Sequence, residues 1–190
     1  MFNFYDWGGY LLWRLAPRKA FVDGRGADPE LMEEYRQVME GDRRLVEGQE
    51  AWRRALERHD VRLTVTPFFH PESGRLVGLV DVLLADPAWV PVFSSATALV
   101  FARNTWDNRG VLRRFALLKP DFYSRLLDYT RMLAILRPEE AAPHVARGDL
   151  LLRLGDPAAA LRSYEQALRI VPSHPAARGR IAQLRGEGGP

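Results

Sequence analysis

Asp6, Asp23 and Arg25 are the side chains whose types and spacing come nearest to a site for chemistry. If Phe2–Tyr5 and Ala20–Val22 run as neighbouring parallel strands, their carboxyl ends bring Asp6 and Asp23 together. That edge is where open α/β sheets place ligands. Arg25 is suited there to a carboxylate or phosphate, and Trp7 or Tyr5 offers a ring that stacks on a sugar. The same residues also have a purely structural reading. In it Asp6 caps a helix beginning near Trp7, Asp23-Gly24-Arg25-Gly26 makes a turn, and Arg25 pairs with Asp6.

Other constellations fail. His59, His70, His144 and His174 lack metal-ligand spacing, and His70-Pro71-Glu72 reads as a loop rather than a zinc-binding helix. The chain has no cysteine, which removes disulfides, thiolate metal sites and a thiol nucleophile. No Gly-x-Ser-x-Gly elbow occurs, Asp23-Gly24-Arg25-Gly26 lacks the third glycine of a dinucleotide fingerprint, and no phosphate-binding Gly-Lys loop is present. The pairs Glu33-Glu34 and Glu139-Glu140 fall on solvated helix starts, not across a cleft. No metal, cofactor or autonomous catalytic activity is expected.

The elements that position these residues alternate in type over the first half. Tyr10–Leu15 is an apolar stretch that Pro17 ends. Asp28-Pro29-Glu30 opens a helix with Leu31, Tyr35 and Val38 on its apolar face, and Glu47–His59 predicts a second with Ala51, Trp52, Ala55 and Leu56 in one stripe. Val61–Pro67 alternates valine and leucine with Arg62, Thr64 and Thr66, the pattern of a half-buried strand. A polar loop over 68–75 leads to a helix over 76–85, and Trp89–Phe93 with Ala98–Ala102 reads as a hairpin turning near Ser94-Ser95. The fold class expected is α/β: a small three-layer domain with a mixed, partly parallel sheet over 1–103. From 104 to 190 the texture is helical only, with helices over Arg109–Leu118 and Tyr123–Leu136 bounded by Pro120 and Pro138.

Charge divides along the same line. Residues 1–103 carry 13 Lys+Arg against 15 Asp+Glu, and residues 104–190 carry 14 against 9. The basic tail suits an acidic partner or an anionic surface. It does not interleave aromatics as a single-strand platform needs, so nucleic acid is not an expected partner. No run is apolar enough to span a bilayer, and the abrupt start at Met1-Phe2-Asn3-Phe4 suggests a fragment of a longer protein.

Within the tail, Ala141, Gly148, Ala160, Tyr164, Ala167 and Pro172 have the spacing of a 34-residue helical repeat. Gly155-Asp156-Pro157 supplies the turn between its helices. This pattern resembles the tetratricopeptide repeat closely over 141–174, and Pro175–Leu184 reads as a capping helix that begins a next unit. Tyr123–Pro138 reads as the second helix of a degenerate preceding one. The resemblance implies a protein or peptide partner on the face of the first helices, here His144, Arg147, Leu151 and Arg178. So short an array must lean on the α/β domain or on a second copy of the chain.

The segment Phe4-Tyr5-Asp6-Trp7-Gly8-Gly9-Tyr10, followed by Trp13-Arg14-Leu15 and Phe21-Val22-Asp23-Gly24-Arg25, carries a second resemblance. It is similar to the soluble extracytoplasmic domains of bacterial multi-spanning membrane proteins of the glycosyltransferase and oligosaccharyltransferase type. That implies a glycan or acceptor peptide at Asp6, Trp7, Asp23 and Arg25, a periplasmic location, and membrane attachment through upstream segments that this sequence does not contain.

Overall fold

The computed structural model describes residues 1–25, 28–119 and 121–186. Gly26, the last residue of the expected turn, and Pro120, the expected break before the helical segment, lie outside the described residues. The chain forms two compact units, one of residues 1–67 and 77–119, the other of residues 68–76 and 120–190.

The first unit is α/β. Its four-stranded sheet has the order β1 (Phe2–Asn3), β4 (Leu63–Thr66), β6 (Leu99–Arg103), β5 (Trp89–Ser94). β1 runs parallel to β4, pairing Phe2 with Thr64, and the remaining pairings are antiparallel. β5 is an edge strand, which is why it tolerates Pro91 beside a bulge. Helices α1 (Gly8–Leu15), α2 (Pro29–Glu40), α3 (Ala51–Arg58), α4 (Gly78–Ala85) and α5 (Arg109–Phe115) complete the unit. Phe2, Val38, Trp52, Leu56, Leu79, Leu83, Leu99 and Phe101 are buried in it.

Three details differ from the sequence expectations. Ala20–Val22 is not a strand: the side chain of Asn3 holds it instead, donating from Nδ2 to Val22 O at 2.8 Å and accepting from Phe21 N at 2.8 Å. One buried amide thus supplies the main-chain partners that a ladder would have given. The helix expected from Glu47 begins at Ala51, because β2 (Leu45–Val46) and β3 (Gln49–Glu50) form a hairpin whose turn residues Glu47 and Gly48 both have positive φ, 51° and 80°. Thr64 and Thr66 are the buried positions of β4, not its wet face, while Leu63 and Val65 are half-buried.

The second unit is helical: α6 (Phe122–Leu136), α7 (Ala142–Arg153), α8 (Pro157–Ile170) and α9 (Pro175–Arg185). Asp156 caps α8, accepting from Ala159 N at 2.9 Å, and His174 caps α9 through Nδ1. Ala141, Val145, Leu151, Ala160, Tyr164, Ala167, Ala177 and Ile181 form its core. Loop 68–76 belongs to this unit, closed by a bridge between Phe69 and Leu76.

Candidate interaction surface

The helical unit is organised by one buried carboxylate that the sequence reading missed. Asp149 is fully enclosed on α7. Its Oδ1 accepts from the Tyr164 hydroxyl of α8 at 2.7 Å and pairs with Arg180 Nε of α9 at 2.9 Å. Its Oδ2 accepts the Leu76 N–H of the loop at 3.3 Å. Three helices and the loop therefore meet on a single charge, whose enclosure is tolerable because a cation and two other donors satisfy it. Burial pushes the Tyr164 hydroxyl pKa well up, and the Asp149 carboxylate adds to that. Gly148 is required beside it: a Cβ there would stand 2.6 Å from Tyr164 Cζ. The signal for Asp149 was adjacent to a recognised one, Gly148 and Tyr164, but an acid at a core position reads as solvent-facing from sequence alone.

Loop 68–76 covers the start of α7 closely. Gly74, at φ 69°, lies where a Cβ would come 2.7 Å from Val145 Cβ. The loop, the start of α7 and the start of α9 enclose an open cleft of about 850 Å³. Arg75, Glu72, Glu139, Glu140 and His174 supply its polar lining. The His174 Nδ1 accepts from Ala177 N at 3.4 Å.

The four residues expected on the partner face divide. Leu151 is taken into the core and offers no surface. Arg178 is exposed on α9, anchored by its Nε to Pro172 O at 3.0 Å. His144 and Arg147 are half-buried on α7. Burial lowers the His144 pKa, with repulsion from Arg147 assisting, so the ring is held neutral at pH 7. Burial likewise lowers the Arg147 pKa, followed by repulsion from Arg131 of α6. Asp128, whose charge favours the Arg147 cation, pairs with Arg131 at 3.2 Å. Arg147 is thus a part-buried guanidinium beside a like charge, with no ion-pair partner among the described residues.

In the α/β unit the other expected site residues lie on two segments that meet at Gly8 and Asp23. Tyr5–Trp7 is a single 3-10 turn leading into α1. Gly8 lets that turn abut the Val22–Asp23 backbone, since a Cβ there would lie 2.5 Å from Asp23 Cα. Asp6 is exposed and caps no helix. Trp7 packs edge-on to Phe4 with centroids 5.3 Å apart. Arg25 pairs with Asp23, not with Asp6: its main-chain N–H and Nε donate at 3.1 and 2.9 Å, and Nη2 also contacts the carboxylate. This pairing lowers the Asp23 pKa. Tyr35 OH accepts from Tyr5 N at 3.0 Å, and burial pushes its pKa up to about 12.

Helices α7 and α8, packed with Gly148 against Tyr164 and with Ala160 and Ala167 buried, and followed by a third helix, form a helical-repeat segment. Residues 141–184 match the family model of the tetratricopeptide repeat. No curated protein and no solved structure matches the chain, and the family match does not extend to the α/β unit.

Proposed function

We propose that this chain is a non-catalytic interaction module whose tetratricopeptide segment captures an acidic segment of a partner protein on the face carrying His144, Arg147 and Arg178. The observation that supports this reading best is Arg147. A part-buried guanidinium loses hydration, and here it faces Arg131 while the nearby Asp128 is already paired. A carboxylate from outside the chain supplies what the fold withholds. Neutral His144 beside it adds a hydrogen-bonding ring without adding repulsion. Selection of displayed random peptides on the chain tests this. Enrichment of aspartate and glutamate is expected, together with at least a ten-fold loss of affinity in Arg147→Glu/Arg178→Glu, in line with a lost charge pair and an added repulsion. Equal capture by that variant overturns the reading.

A second reading places a glycan or acceptor-peptide site at Asp6, Trp7, Asp23 and Arg25, in a domain of glycosyltransferase type. What supports it is the close approach of Gly8, directly after Asp6 and Trp7 in the chain, to the backbone of Asp23, which pairs with Arg25. Titration with oligosaccharides and acceptor peptides, followed by amide chemical shifts, is expected to move signals of residues 5–9 and 22–25. Asp6→Asn/Asp23→Asn is expected to abolish the shifts, and unmoved signals at millimolar ligand sink it.

A further inference from the structure

Helix α1 buries almost nothing of its own. Gly8 is its one buried residue, while Tyr10, Trp13 and Leu15 are 62%, 74% and 39% exposed. Leu11 and Leu12 are half-buried, so the aromatic pair and Leu15 stand away from the body of the unit. Tyr10 and Trp13 lie one helical turn apart with ring centroids at 6.0 Å, and the Arg14 guanidinium sits 5.5 Å from the Trp13 ring. Arg18 and Lys19, just past the helix, are exposed. No acidic residue occurs from Trp7 to Val22. Other surface arginines of this unit are paired, Arg36 with Glu33 and Glu40, and Arg44 with Asp42, although Arg109, Arg113 and Arg114 of α5 are also exposed without a salt bridge among the described residues. Arg14, Arg18 and Lys19 have no acidic partner among the described residues. Exposed Trp and Tyr joined to uncompensated basic charge is a combination that a purely apolar protein groove does not select. An anionic bilayer surface does, since the rings seat at the headgroup boundary and the cations meet lipid charge.

We propose that α1 docks the chain flat on an anionic membrane surface, with Tyr10, Trp13 and Leu15 inserted at the headgroup level and Arg14, Arg18 and Lys19 against anionic lipid. No helix among the described residues is long and apolar enough to cross a membrane, so this contact is peripheral and salt-sensitive. The test is co-sedimentation of the 190-residue chain with vesicles of equimolar phosphatidylserine and phosphatidylcholine, against phosphatidylcholine alone. Binding to the anionic vesicles alone is expected, with a blue shift of tryptophan emission that is absent in Trp13→Phe. Each basic residue near an anionic surface changes partitioning about five-fold, so Arg14→Gln/Arg18→Gln/Lys19→Gln is expected to lose about 100-fold. All these side chains are exposed, and the thermal midpoint of each variant checks that folding is intact. Absence of binding at low salt overturns the proposal, as does binding that the triple variant retains. Lipid-free dimerisation abolished by Trp13→Ser overturns it too, because the face is then covered by a second copy.

Discussion

At the residue scale, close approach and desolvation do most of the specifying. Gly148 exists because Tyr164 occupies the space a side chain would need. Gly148→Ala is expected to lower stability by about 1–3 kcal/mol through overpacking, read as a shift of the urea midpoint without a change of slope. His144 gives a pH signature. Its folded pKa lies below the unfolded value of 6.5, because burial and Arg147 disfavour the imidazolium. The unfolded chain then binds the proton more readily, so the contribution is intact above pH 6.5 and declines as the pH falls below it. His144→Gln is therefore expected to flatten stability against pH between neutrality and the onset of carboxylate protonation; an unchanged slope in that window contradicts the assignment.

At the scale of elements, the repeat holds because α7, α8 and α9 share Asp149, with loop 68–76 as the fourth participant. Asp149→Ala leaves Tyr164 without its acceptor and Arg180 without its counter-ion, and is expected to cost about 2–3 kcal/mol after discounting for the partial exposure of Arg180. Tyr164→Phe, which keeps the Arg180 pair, is expected to cost about 1 kcal/mol. Equal losses from the two would show that the ion pair contributes nothing beyond the hydroxyl. These elements were unevenly legible in sequence. The helices of the repeat could be read from small residues at fixed spacing and from proline at their starts, and the β5–β6 hairpin from its two apolar runs. Ala20–Val22 could not, because whether an apolar triplet pairs as a strand depended on the amide of Asn3 across nineteen positions. The β2–β3 hairpin was hidden because Glu47 adopts a positive φ that its residue type does not advertise. Of the residues expected on the partner face, Arg178 is exposed and Arg147 half-buried, while Leu151, whose apolar side chain suits groove and core equally, is claimed by the core.

For the whole molecule, the two units offer two kinds of surface. The α/β unit pairs many of its charges internally, with salt bridges such as Arg53–Asp86 at 2.7 Å and Arg58–Glu34 at 2.7 Å, and leaves the basic residues at and just past α1 without an acidic partner among the described residues. The helical unit completes a short repeat with loop 68–76, drawn from between β4 and α4. That loop supplies neighbour contacts which a lone repeat lacks, and the cleft beneath it stays open. On the proposed function, α7 and α9, the first helices of the repeat units, hold the acidic partner segment. Hydrogen exchange of the intact chain with and without a selected acidic peptide tests it most directly. Protection is predicted in α7 and α9, around Arg147 and Arg178, and is predicted to vanish in Arg147→Glu/Arg178→Glu. Protection confined to the α/β unit, or unchanged in the variant, would contradict it.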